Sequence, residues 1–182
     1  MTPMITRACL PAVLAAAVVL SLTACGDDEP VADSTPTTDP TSEPTPTEDS
    51  TAAAVAEVEA AYQEYWDVVV AAHNSGEDSY AELKTVTNEE VAQLHVAQIR
   101  GMREDHITRD GAPDIGTPQV SVDGDTARVQ SCVDEHSWNV YYKEELAEQE
   151  SDPQPRVFDF ERVDDHWVVV DRVNKDEATI EC

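Results

Sequence analysis

The chain has 182 residues, and its 38 Asp and Glu against 11 Lys and Arg give a formal net charge of -27. This length accommodates one small domain with accessory segments. A polyanion of this charge repels phosphate backbones and anionic lipid surfaces, which excludes nucleic acid as a direct partner and unaided electrostatic binding to a membrane.

Residues 1–24 have the pattern of a secretory signal. Arg7 is the only charged residue among them, and a run of apolar and small residues extends from Cys9 to Leu22. This run has about 14 residues, whereas a membrane-spanning helix needs roughly 20. We therefore expect the segment to direct export and then to be removed.

The end of the signal carries a second motif, Leu22-Thr23-Ala24-Cys25. It resembles the lipobox of bacterial lipoproteins, which implies cleavage after Ala24 and a diacylglyceryl group on Cys25. The implied location is the outer, extracytoplasmic face of the cell membrane, because two acyl chains at about 0.8 kcal/mol per buried methylene hold a protein there stably. The alternative is ordinary signal cleavage that leaves Cys25 as an unmodified thiol.

Residues 25–52 form a segment rich in Thr, Pro, Ser, Asp and Glu. Val31 is its only large apolar residue, and the segment holds eight acidic residues and no basic one. Such a composition cannot bury enough apolar surface to offset chain entropy, and like charges extend it. We expect a disordered, acidic tether between the lipidated cysteine and a globular domain over residues 53–182.

The first part of this domain has helical periodicity. Apolar residues recur every three or four positions over residues 53–74, and a shorter helical pattern covers residues 80–84. Thr87 and Glu90 have the spacing of a capping box at the start of a third helix that ends near Glu104. The predicted apolar face of this third helix consists of Val91, Leu94, His95, Ile99 and Met102.

The second part alternates with a period of two. Residues 119–122 and 126–133 predict one hairpin, residues 157–163 and 167–173 a second, and residues 179–182 an edge strand. A charged loop is expected over residues 143–155. Helices followed by antiparallel strands predict an α+β fold in which the N-terminal helices pack on a curved antiparallel sheet.

Short motifs in both parts carry a family resemblance: Tyr62-x-x-Tyr65-Trp66, the strand from Gly124 to Asp134, Asp165-His166-Trp167-Val168-Val169, and the terminal Cys182. The domain resembles the superfamily of nuclear transport factor two and ketosteroid isomerase, in particular its small secreted lipoprotein members in actinobacteria. This resemblance implies a cone-shaped, cystatin-like roll. It implies no activity, since the superfamily contains enzymes, binding proteins and adaptors.

Two cysteines remain in the exported domain. Because the compartment is oxidising, we expect Cys132 and Cys182 to form a disulfide bond. Two free thiols or a metal-binding pair are the alternatives.

Two acidic residues precede a histidine three times, at residues 104–106, 134–136 and 164–166. Carboxylates with imidazole suit a divalent metal or a pH-dependent contact. The candidates for a ligand or metal site are therefore Asp134, His136, Asp164, Asp165 and His166. Surface acids beside incidental histidines are the favoured interpretation.

A second hypothesis places a site at the mouth of the cone. Its candidate residues are Asp134, His136, Asp159 and Arg172 on strands, and Tyr62 and Trp66 on the facing helix. An isomerase or dehydratase would need a carboxylate or histidine base beside an apolar pocket. No motif fixes such a geometry, and ordinary rim and core residues are the favoured interpretation.

No hydrolase, metalloprotease or phosphate-binding motif is present, so no catalytic residue is assigned. The sequence favours a membrane-anchored, non-enzymatic domain that binds an envelope protein, a small apolar ligand or a cation. An isomerase- or dehydratase-like enzyme is the alternative. No cofactor is expected apart from the lipid on Cys25.

Overall fold

The structure, a computed structural model, describes residues 48–148 and 152–182. The signal segment, Cys25 and most of the expected tether lie outside the described residues. The described chain contains three helices, α1 Glu48–Ser75, α2 Tyr80–Val86 and α3 Glu89–Glu104. Its eight strands are β1 Ile107–Gly111, β2 Asp114–Ile115, β3 Gln119–Asp123, β4 Thr126–Asp134, β5 Trp138–Tyr142, β6 Glu145–Leu146, β7 Gln154–Val163 and β8 His166–Val173. None of the helices described is both long and apolar enough to span a bilayer.

The strands form two antiparallel sheets. The larger sheet has the order β2-β4-β7-β8, with β3 also paired to β4, and the smaller has the order β1-β5-β6. The register between β7 and β8 shifts between Asp159 and Phe160. Because such a bulge bends a strand and increases its twist, it helps the larger sheet to curve. The expected α+β class, with N-terminal helices on a curved antiparallel sheet, is confirmed.

The core lies between α1 and one face of the larger sheet. The predicted alternation along β4 is confirmed, since Ala127, Val129, Ser131 and Val133 are buried there. The Tyr62 ring packs against Phe158 with centroids 5.7 Å apart, and its hydroxyl lies 2.5 Å from Ser131 Oγ. Tyr62 is therefore a core residue whose polar end is satisfied inside the protein.

The helices differ from expectation in three details. Helix α1 begins at Glu48, so the last residues assigned to the tether are helical. The cap of α3 is Asn88, whose side chain accepts a hydrogen bond from the Val91 amide. Thr87 is buried and donates to the Leu83 carbonyl at the end of α2, so the capping-box prediction is wrong. Leu94 is 45% exposed, and Val96, two residues further on, is buried in its place.

The strand predictions were incomplete. Strands β1, β2 and β5 were missed, and the expected loop over residues 143–155 contains β6 and the start of β7. Residues 179–182 form no strand; a short 3₁₀ helix, Lys175–Glu177, precedes them instead. The terminal segment is held by other means, because the sulfurs of Cys132 and Cys182 lie 2.11 Å apart, at disulfide distance.

Candidate functional site

A cavity of about 470 Å³ opens between the C-terminal half of α3 and the inner face of the strands. This volume lies within the range of small-molecule sites. Its apolar lining comes from α1, α3, β1, β5 and β7 and consists of Trp66, Val69, Met102, Ile107, Trp138 and Phe158. Its polar and charged lining consists of His73, His95, Gln98, Asp105, Arg109, Glu135, Arg156 and Arg172.

Two buried histidines lie in the wall of this cavity. His73 from α1 and His95 from α3 are 7% and 2% exposed, and His73 Nε2 lies 3.2 Å from His95 Nδ1. The chain of hydrogen bonds continues inward, since His95 Nε2 lies 3.1 Å from the Tyr65 hydroxyl. The two helices thus bring three buried polar groups into one line.

Both histidines are neutral at physiological pH. Burial, reinforced by repulsion from Arg109 and Arg172, lowers the pKa of His73 from 6.5 to about 4. Burial, together with Arg172 and His73, lowers the pKa of His95 to about 3. Desolvation favours the uncharged imidazole because a buried charge loses its water shell. Burial likewise raises the pKa of Tyr65.

Of the four ring nitrogens of His73 and His95, three take part in these hydrogen bonds, and Nδ1 of His73 has no partner among the described residues. If the Tyr65 hydroxyl donates to His95, then His95 donates to His73, and Nδ1 of His73 carries a proton. With the opposite polarity, Nδ1 of His73 is an acceptor. In either case this atom is buried and has no hydrogen-bond partner among the described residues. An unsatisfied buried polar atom costs roughly 1–3 kcal/mol, which a ligand group could recover.

An ion-pair cluster forms another part of the wall. The Glu135 carboxylate accepts hydrogen bonds from Arg109 at 3.3 Å and from Arg156 at 2.5 Å. The Arg109 guanidinium also stacks on Trp138, 3.7 Å from the ring centroid. Burial alone would raise the pKa of Glu135, but the two arginines outweigh it and hold that pKa below its usual value. Glu135 is therefore an ionised, fully engaged carboxylate.

A third arginine reaches the cavity from β8. Arg172 pairs in register with Phe158, so both residues lie on the inner face of the sheet. Its guanidinium lies 3.4 Å from the Gln98 side-chain oxygen. Within residues 48–148 and 152–182, no carboxylate forms an ion pair with it.

The structure places some candidates of the cone-mouth hypothesis at the cavity and others away from it. Trp66 and Arg172 line the cavity. Asp159 lies on the outer face of the sheet, where Arg128 binds it with distances of 2.7 and 2.9 Å. Asp134 instead accepts a hydrogen bond from the backbone amide of His136 at 2.8 Å, and the His136 side chain is exposed.

Two of the three acid-acid-histidine triplets reach the cavity, through Asp105 and Glu135, and the third lies elsewhere. Strand pairing puts Thr126 of β4 opposite Glu161 and Val133 opposite Gln154. The turn with Asp164, Asp165 and His166 therefore lies at the end of the sheet opposite Asp134. In the part of the chain that the structure describes, no three His, Cys, Asp or Glu side chains are grouped to hold a metal ion.

Glu135, His73 and His95 were missed as site residues, although the sequence carried a signal for each. Glu135 is the next position in the alternation that buries Val129, Ser131 and Val133, and although β4 ends at Asp134, the Glu135 side chain lines the cavity. His95 belongs to the predicted apolar face of α3, and His73 lies within the helical pattern of residues 53–74, three and four residues after Val70 and Val69. A polar residue that interrupts an apolar face in this way is a candidate for a site.

No family model and no curated protein sequence matches the chain. Among solved structures, a Mycobacterium tuberculosis protein of unknown function is 13% identical, with 70% of this chain and 78% of that chain covered and a TM-score of 0.46. A candidate dehydratase of the NTF2-like family from Streptomyces avermitilis is 14% identical, with 68% and 99% covered and a TM-score of 0.42. An NTF2-like protein with a cystatin-like fold from Novosphingobium aromaticivorans is 16% identical, with 68% and 85% covered and a TM-score of 0.40. At these identities and TM-scores the neighbours carry no conclusion about function.

Proposed function

We propose that this chain is a lipid-anchored, extracytoplasmic protein whose domain binds a small molecule in the cavity without transforming it. The observation that carries the binding role is the cavity itself, which combines aromatic walls with a few polar groups from separate elements. Small-molecule sites typically have this composition, because apolar contact supplies affinity and a few polar groups fix orientation.

The aromatic wall accounts for the affinity. Trp66, Trp138 and Phe158 are 5%, 3% and 2% exposed, and their rings pack edge to face with centroids 6.0 to 6.4 Å apart. A wall held in this way is preorganised, so binding costs little side-chain entropy. Burial of apolar ligand surface against it contributes about 25 cal/mol per Å².

The acid–base groups favour binding over catalysis. A general base works best with a pKa near the operating pH. The pKa of Glu135 is lowered by its two arginines, and those of the two histidines lie at about 4 and about 3. Each of these groups is a weak base at neutral pH.

An isomerase- or dehydratase-like enzyme is the second candidate function. It is favoured by one observation, the hydrogen-bonded line from Tyr65 through His95 to His73, which could pass a proton between the core and the cavity. An enzyme that uses His73 as its base would lose turnover of a small β-hydroxy or enolisable carbonyl substrate in a His73→Gln variant. Retention of the same turnover in that variant would exclude this role.

Gly101 provides a test of the binding role. It lines the cavity on α3, and a Cβ built there meets no atom within 4 Å. We expect a Gly101→Leu variant to fold and to fill part of the cavity. Gly101→Ala is the matched control, because it adds one methyl group and stabilises the helix by roughly 0.5–1 kcal/mol.

The assay is fluorescence titration with Nile red, an uncharged dye that brightens in apolar sites. The wild type and Gly101→Ala should bind it with similar affinity, and Gly101→Leu should bind it at least about tenfold more weakly, a difference of about 1.4 kcal/mol. Urea unfolding of all three proteins checks the fold. Equal binding by Gly101→Leu and wild type would show that this cavity is not the binding site.

The anchor is proposed from the signal and lipobox residues and is tested separately. A full-length wild-type protein expressed in a bacterial host should fractionate with membranes and carry a diacylglyceryl mass at its N-terminus. Cys25→Ala should appear in the aqueous fraction or remain uncleaved, since the acyl chains supply the membrane affinity. If Cys25→Ala and wild type have the same fractionation and processing, the chain is not a lipoprotein.

A further inference from the structure

The cavity has a charge opposite to that of the rest of the chain. The net charge is -27, yet three of the seven arginines in the described residues, Arg109, Arg156 and Arg172, line this one cavity. Against these three arginines stand two acidic lining residues, Glu135, which is shared between Arg109 and Arg156, and Asp105, which is exposed, as Arg172 also is. The lining therefore keeps an excess of positive charge within a strongly acidic protein.

Arg172 is the member of this set with free bonding capacity. Its contact with the Gln98 oxygen occupies one Nη atom at 3.4 Å, and no carboxylate in the described ranges pairs with it. A guanidinium presents several N–H donors in a plane, a geometry that matches the two oxygens of a carboxylate. Arg109 and Arg156, by contrast, are already held by Glu135.

The positive group and the apolar wall adjoin each other. Arg172 lies opposite Phe158 in the strand register, and Trp138 faces the same cavity from β5. A ligand that reaches both must therefore carry an anionic end and an apolar body. His73, neutral and without a partner at Nδ1 among the described residues, offers one further hydrogen bond in the same cavity.

We propose that the cavity binds a small organic acid, with its carboxylate on Arg172 and its aromatic or aliphatic body against Trp138 and Phe158. This inference rests on the proposed binding function and adds the charge and polarity of the ligand. The Arg109–Glu135–Arg156 cluster has two arginines on one carboxylate and so adds positive potential to the cavity.

The test uses a matched pair of probes, naphthoate and its uncharged amide naphthamide, titrated calorimetrically into the full-length purified protein at low salt. The two probes share their shape, so their difference in affinity reports the charge. Naphthoate should bind about tenfold or more tightly than naphthamide, as expected for hydrogen bonds to a charged partner. In Arg172→Gln the preference should disappear while naphthamide affinity is retained, which also shows that the cavity is intact.

Two further variants test whether Arg172 in particular binds the carboxylate. Arg128→Gln removes an arginine from the outer face of the sheet, where it pairs with Asp159, and should keep the full preference for naphthoate. Arg172→Lys keeps the charge without the planar fork and should restore part of the preference, which also covers the case of a poorly folded Arg172→Gln protein.

The outcomes separate the two proposals. Equal affinity for the two probes, together with weaker binding in Gly101→Leu, would leave the binding function standing and overturn the organic-acid inference. Binding of neither probe would overturn the organic-acid inference, while the Nile red titration of the Gly101 variants would still decide the binding function. A preference for naphthoate that survives unchanged in Arg172→Gln would refute the assignment of the anion to Arg172.

Discussion

The buried histidine pair predicts that the protein loses stability as the pH falls from about 7.5 to about 5.5. In the folded state the pKa values of His73 and His95 are lowered to about 4 and about 3, mainly by burial. In the unfolded chain both titrate near 6.5. The unfolded state therefore binds more protons below this pH, and the free energy of unfolding falls as acid is added.

The magnitude follows from the two sets of pKa values. About one unit below the unfolded pKa, each histidine that remains neutral in the folded state lowers the free energy of unfolding by about 1.4 kcal/mol, or about 3 kcal/mol for the pair. The loss becomes appreciable as the pH approaches 6.5 and continues until His73 protonates near pH 4 and His95 near pH 3. Arg109, Arg172 and Glu135 are the charged groups that act on His73, and Arg172 acts on His95.

The assay is urea unfolding followed by tryptophan fluorescence at about pH 7.5, 6.5 and 5.5. A His73→Gln/His95→Gln variant should lose most of this pH dependence, whatever its absolute stability. Val96→Ala is the matched control, because it removes buried volume beside His95 and no titrating group, so it should lower stability equally at each pH. A wild-type stability that is constant over this range, or an unchanged slope in the double variant, would refute the burial of two neutral histidines.

Three other predictions concern the fold. Replacing both Cys132 and Cys182 by Ala removes a disulfide between residues 50 positions apart and should lower the free energy of unfolding, measured in urea, by about 4 kcal/mol. An unchanged free energy of unfolding would contradict a stabilising disulfide. Asn88→Ala should cost about 1 kcal/mol through loss of the α3 cap, and Glu90→Ala much less; the reverse order would favour the capping box. Leu94→Ala should cost less than about 1 kcal/mol, because this side chain is largely exposed, and a core-sized loss of 2–5 kcal/mol would contradict its position.

Much of the fold could be predicted because its signals are local. Helical periodicity predicted α1 and α3, and alternation predicted both hairpins, including the buried positions of β4. The Asp164-Asp165 turn between β7 and β8 has positive φ at both residues, which is the geometry that short hairpin turns require. In each case the residues that form the pattern belong to the element that the pattern predicts, or lie within a few residues of it.

Strands β1 and β5 show where this reasoning fails. Thr108, Arg109 and Asp110 in β1 have no apolar alternation, and β1 pairs with β5, from Trp138 to Tyr142, far along the sequence. These strands are stabilised by each other and by the helices over them. Their omission also hid Arg109 and its contact with Trp138.

The sequence by itself determined the acidic charge, the cysteine pair, and the helix-then-hairpin order that defines an α+β fold, and it carries the motifs from which the signal and the lipid anchor are proposed. Tertiary structure decided the site. Glu135 meets two arginines from different strands, and His73 meets His95 across two helices. Periodicity reports which side of its own element a residue occupies, but the groups it faces, and hence its pKa and its chemistry, depend on how distant elements pack.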